Sequence, residues 1–143
     1  MTCDFLLDVK GVQKYEDREP ETIELTTEAS LTGEEGVLYL RYAESELTGL
    51  QGTETCFELH RDKVILRRKG AVASEMVFAP GLMNQSLYNT DEGALLITVR
   101  TTAVEDAMTL GGGTLHVAYG ITVEGLGTGQ IDYWLSVRPK AHR

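Results

Sequence analysis

Thr22-Ile23-Glu24-Leu25-Thr26-Thr27-Glu28-Ala29-Ser30-Leu31-Thr32 alternates strictly between two kinds of side chain. Ile23, Leu25, Thr27, Ala29 and Leu31 share one face. Thr22, Glu24, Thr26, Glu28 and Ser30 share the other. Successive side chains of a strand point to opposite sides, so this pattern predicts a half-buried antiparallel β-strand. Residues 114–124 repeat it with Leu115, Val117, Tyr119, Ile121 and Val123 inward. Residues 130–138 do so again through Ile131, Tyr133, Leu135 and Val137. Weaker alternation runs over residues 4–12, 38–42, 53–60, 63–69 and 95–104.

Turn chemistry separates these runs: Thr32-Gly33-Glu34-Glu35-Gly36, Arg61-Asp62, Pro80-Gly81, residues 89–93, Gly111-Gly112-Gly113 and residues 125–129. A short helix is expected over residues 81–87. Strands at this spacing predict an all-β meander, either a sandwich or, preferably, an antiparallel up-and-down barrel of about eight to ten strands. Closure is attractive because long alternating strands otherwise leave open edges. No repeat or linker divides the chain, so residues 1–143 are expected to form one domain.

The 143 residues are enough to bury a core without staples. Acidic residues number 22 against 13 basic, a formal charge of −9, which disfavours nucleic acid as a partner. The charge is uneven: residues 16–35 are acidic, whereas residues 60–69 and 138–143 are locally basic. Cys3 and Cys56 are the only cysteines, which suits a reducing compartment. No apolar run approaches the roughly 20 residues of a membrane helix, so no membrane partner is expected. Met1-Thr2-Cys3-Asp4 lacks the basic and apolar regions of a secretory signal, and the cytoplasm is the expected location.

Residues Tyr42-Ala43-Glu44-Ser45-Glu46-Leu47-Thr48-Gly49-Leu50-Gln51-Gly52-Thr53-Glu54-Thr55 are followed by Asp62-Lys63-Val64, Arg68-Lys69-Gly70 and Ser74-Glu75-Met76-Val77-Phe78. This set resembles the bacterial family called domain of unknown function 1934, the YwiB-like proteins, over nearly the whole chain. The resemblance implies a calycin-like (lipocalin-like) β-barrel, cytoplasmic and bacterial, with no established activity. Gly111-Gly112-Gly113 and residues 125–129 depart from the family's rhythm.

Extending the alternation past Leu38, Leu40 and Tyr42 places Glu44 and then Glu46 inward. Val64 and Leu66 carry Arg68 to the same side. Thr53 and Thr55 share a face with Phe57 and Leu59, and Ser74 and Tyr88 are further polar liners. Two readings of Glu44, Glu46, Thr53, Thr55, Arg68, Ser74 and Tyr88 remain open. One is a buried Glu–Arg pair with threonine hydrogen bonds, which removal of charge from water demands. The other is a ligand site in which Arg68 fixes an anionic or carbonyl group.

No catalytic constellation accompanies them, so no enzyme is expected. His60, His116 and His142 are scattered, with His116 on an outward parity, and no serine sits in G-x-S-x-G. Cys56 reads as a half-buried filler. No His/Cys cluster has metal spacing, and no cofactor is expected. The sequence thus favours a non-enzymatic small-molecule binding barrel. The alternative is an interaction module using its outer face or rim, a homodimer included, for which the outward Trp134 is the candidate anchor.

Overall fold

The structure, a computed structural model, describes residues 3–46, 50–125 and 127–140. Among the described residues ten strands follow one another: β1 (Phe5–Tyr15), β2 (Glu21–Glu34), β3 (Val37–Ala43), β4 (Thr53–Leu59), β5 (Val64–Gly70), β6 (Ser74–Phe78), β7 (Met83–Thr90), β8 (Gly93–Thr109), β9 (Gly112–Val123) and β10 (Gly127–Pro139). Every strand-to-strand ladder is antiparallel, in the order β6-β5-β4-β3-β2-β1-β10-β9-β8-β7. The first and last strands therefore pair in the middle, and the two edges, β6 and β7, are consecutive in the chain.

Those edges meet. Ala73 and Asn89 exchange two backbone hydrogen bonds of 2.9 Å, and Asn84 Nδ2 donates to Val77 O at 2.8 Å. The result is a nearly closed up-and-down barrel, as the alternation predicts, with no ladder along the β6–β7 seam. The inward residues expected on β2, β9 and β10 are all half-buried or buried. No helix among the described residues is long and apolar enough to cross a membrane.

Three local departures have physical causes. Residues 81–87, expected as a short helix, lie largely within β7. There the polar Asn84 and Ser86 turn inward beside Tyr88, while Met83 and Leu87 are exposed, so the usual apolar-in pattern is inverted at the seam. Ser30, expected outside, is buried between Ala29 and Leu31, where β2 exchanges its β1 partner for β3 and bends. On β8 a bulge inserts Thr102 between Thr101 and Ala103. One extra residue shifts the inward set, so Ile97, Val99 and Thr101 are succeeded by Val104 and Met108.

The interior is not uniform along the barrel axis. The end carrying the β2–β3, β4–β5 and β8–β9 turns is filled by Leu7, Leu31, Leu40, Leu59, Val64, Phe78, Leu115 and Val137. The opposite end, below the β1–β2, β7–β8 and β9–β10 turns, is hollow.

Candidate functional site

Strand register builds the site. Tyr42 lies opposite Thr55, Thr55 opposite Arg68, and Arg68 opposite Ser74. Because directly opposed residues share a face, these four form an inward row across β3, β4, β5 and β6. Just past the end of β3, Glu44 N–H still donates to Thr53 O at 2.9 Å, which holds the Glu44 side chain over the row. Thr55 Oγ1 donates to Glu44 Oε2 at 3.0 Å, and Arg68 Nε stands 4.0 Å from the same oxygen. Both charged side chains are sequestered, Arg68 at 6% exposure and Glu44 at 3%.

Arg68 and Glu44 border a cavity of about 290 Å³ at the hollow end of the barrel. Tyr15, Tyr42, Tyr88, Tyr119 and Tyr133 line it, five of the six tyrosines in the chain, together with Gln13 and aliphatic side chains such as Ile97, Ile121 and Ile131. Space for two of these rings comes from glycines across the β1–β10 ladder. Gly11 faces Tyr133 and Gly129 faces Tyr15. A Cβ on Gly11 would stand 3.1 Å from the Tyr133 ring, and one on Gly129 would stand 2.5 Å from that of Tyr15.

Burial sets the electrostatics. It raises the pKa of Tyr42, with the Glu44 carboxylate adding to the effect, and lifts Tyr119 well above its ordinary value. Burial raises Tyr88 as well. These phenols are therefore neutral hydrogen-bonding groups near neutral pH. For Arg68, removal from water works against the cation, yet its pKa is not brought below the already high guanidinium value. The guanidinium is held charged, yet its buried Nε–H has no hydrogen-bond partner among the described residues.

Of the residues singled out from sequence, Glu44, Thr55 and Arg68 come together, and Tyr88 shares their cavity. Thr53 is buried, but its hydroxyl accepts Val72 N–H at 3.2 Å and so fixes the β5–β6 turn. Ser74 completes the row but borders a second groove, lined from β3 to β7 and touched by Arg68 as well, rather than the hollow. Glu46 corrects the parity argument: it is exposed, because the sheet pairing ends near Glu44 and alternation no longer governs the chain beyond it. The tyrosine lining was the missed feature. Alternation puts Tyr42, Tyr119 and Tyr133 inward, and several inward tyrosines on different strands signal a polar hollow more than an aliphatic core.

A second polar row crosses the outside. Glu105 lies opposite His116, His116 opposite Trp134, Trp134 opposite Lys10, and Lys10 opposite Glu24, spanning β8, β9, β10, β1 and β2. His116 stacks on Trp134 with centroids 4.8 Å apart and planes within 4°, while the Lys10 ammonium sits 5.7 Å from the indole centroid. His116 Nδ1 and Nε2 reach Glu105 at 2.7 Å and Asp132 at 2.8 Å. The outward histidine is thus engaged by carboxylates on both ring nitrogens, and Cys56 is half-buried with its thiol pKa raised by burial.

Fold and site together define a ten-stranded antiparallel barrel, packed at one end and tyrosine-lined and hollow at the other. The chain belongs to the family described as Domain of unknown function (DUF1934), whose match covers residues 7–135. Its fold is similar to that of the ywiB protein from Bacillus subtilis, a crystal structure 22% identical in sequence, with a TM-score of 0.84 over 96% of this chain and 92% of that one. No curated protein matches the chain.

Proposed function

We propose that this barrel binds a small molecule in its hollow end without catalysing a reaction, with Arg68 engaging an anionic or carbonyl group. The observation that carries the reading is the Arg68 guanidinium, sequestered from bulk water at the wall of a cavity of about 290 Å³, with its Nε–H unpartnered among the described residues. A buried donor without an acceptor costs about 1–3 kcal/mol, more when charged, and native interiors rarely tolerate it without a reason. A purely structural ion pair would be expected to close and to satisfy its donors, whereas Arg68 Nε stands 4.0 Å from Glu44. The hollow has room for roughly ten waters at about 30 Å³ each, which suits a compact ligand.

Non-enzymatic binding is supported by the state of the cavity's phenols. Burial holds Tyr42 and Tyr119 in their protonated form far above neutral pH, so neither is poised for proton transfer. Cytoplasmic residence is part of the same proposal and leans on the free thiols Cys3 and Cys56. The charge of −9 argues against nucleic acid as the partner.

Native mass spectrometry of gently purified protein from its own cells tests the reading. An added mass lost on denaturation, and absent from Arg68→Met, is the expected result. An unmodified mass, joined by failure of the hollow to take up small aromatic probes, would overturn it.

A further inference from the structure

The cavity-binding reading leaves the ligand class open between anions and carbonyl compounds, and the charge balance of the hollow separates the two. Among the described residues lining the cavity, Arg68 is the only cation and Glu44 the only carboxylate. The remaining polar liners are Gln13 and the tyrosines. An acceptor bonded to the Arg68 guanidinium from the cavity would approach to about 2.8 Å. A Glu44 oxygen already stands 4.0 Å from the Nε of that same group. Any anion seated there would therefore lie within a few ångströms of a like charge, in a medium where Coulomb repulsion is several times stronger than in water. It would also leave the buried site with a net negative charge that no described liner offsets. A neutral carbonyl oxygen meets the same guanidinium without either penalty.

Resting on the cavity reading, we propose that the hollow takes a small uncharged molecule with a carbonyl-type acceptor, of the amide or lactam class, whose oxygen accepts from the Arg68 guanidinium. The Arg68–Glu44 pair stays intact beneath it, with Thr55 still donating to the carboxylate. The flat faces of Tyr88, Tyr119 and Tyr133 suit a planar body on the same molecule.

Benzamide and benzoate test this, since they match in size and shape and differ in charge. Both are titrated into the full chain at millimolar concentrations, followed by the NMR signal of the Arg68 guanidinium N–H and by the thermal midpoint. Benzamide is expected to bind at least about tenfold tighter than benzoate and to move the Arg68 signal. In Glu44→Gln, which keeps an acceptor for Thr55 and removes the charge, benzoate is expected to recover to within about threefold of benzamide or to overtake it. Tighter binding of benzoate by the unaltered protein overturns the amide assignment and leaves the cavity reading standing. So does a preference that Glu44→Gln does not change. Binding of neither probe, with the Arg68 signal unmoved, overturns the cavity reading and this assignment with it. The comparison in the unaltered protein is decisive by itself if Glu44→Gln fails to fold.

Discussion

The inner row Tyr42–Thr55–Arg68–Ser74 and the outer row Glu105–His116–Trp134–Lys10–Glu24 are made by the same device, directly opposed residues on neighbouring strands, and they end in opposite states. Outside, each charge has an opposite or aromatic neighbour: Glu105 and Asp132 flank His116, Lys10 stands over Trp134, and Glu24 reaches Lys10 at 4.0 Å. Water screens what remains. Inside, Arg68 and Glu44 are removed from water and still not joined by a close bond, and the hydroxyl of Ser74 is buried without a partner among the described residues. Strand register brings complementary groups into line, but among the described residues Arg68 Nε and the Ser74 hydroxyl of the inner row stay without a partner. An interior row left incomplete beside a hollow is where an added molecule gains most.

The largest effect expected from breaking this contrast comes at Arg68. Arg68→Met removes the cation and leaves the Glu44 carboxylate buried without it, which should cost about 3 kcal/mol of folding stability. Adding Glu44→Gln to the same chain should recover much of that loss. In the outer row, Lys10→Met should cost less than about 0.5 kcal/mol, since Lys10 and Glu24 are largely exposed. Urea denaturation of the three variants gives all the values. A loss below about 1 kcal/mol for Arg68→Met would mean that water reaches the inner row freely, and the contrast would fail.

A smaller effect sharpens the same point. Thr55 is fully buried, and its hydroxyl proton goes to Glu44. Thr55→Val keeps the shape and withdraws that donor, so the carboxylate loses solvation it cannot recover from bulk water. The expected cost is about 1–2 kcal/mol by urea denaturation, intermediate between the two rows. Thr53→Val instead leaves a buried backbone N–H, that of Val72, without its acceptor, and its effect should be independent of Glu44.

How much of this was legible in the chain follows from what alternation can and cannot report. Period two named the inward face of β2, β9 and β10, and carried Arg68 inside behind Val64 and Leu66. It failed at Glu46 because parity has meaning only while the strand is paired, and nothing in Glu44-Ser45-Glu46 announces where pairing stops. It missed β7 because the seam turns Asn84 and Ser86 inward, against the hydrophobic rule on which the reading depends. The hollow was illegible for another reason. Tyr119 and Tyr133 read as core residues one strand at a time, and only the register that places Gly11 under Tyr133 and Gly129 under Tyr15 shows rings lining space instead of filling it. The outer row needed register too, since His116 and Trp134 are distant in sequence and their stacking is a property of the β9–β10 ladder.

The outer row supplies the smallest effect and the cleanest readout. Burial opposes the charge on His116, but hydrogen bonds to Glu105 on β8 and Asp132 on β10 outweigh it and raise the pKa above its ordinary value. With carboxylates at both ring nitrogens, the bound form is the imidazolium, which alone donates from both. A raised folded-state pKa gives stability that is fully present below the unfolded value of about 6.5 and is lost as pH rises through the folded value. Since Glu105 is exposed, the gain should stay below about 1 kcal/mol. Trp134 is the sole tryptophan and lies stacked on this imidazole, so its fluorescence should titrate with His116. The expected midpoint lies above the ordinary histidine range. In His116→Gln both the titration and the corresponding part of the pH dependence of stability should vanish, whatever His60 contributes elsewhere. A Trp134 midpoint at or below about 6.5 would mean that the carboxylates do not hold the proton, and that the outer row is no more finished than the inner one.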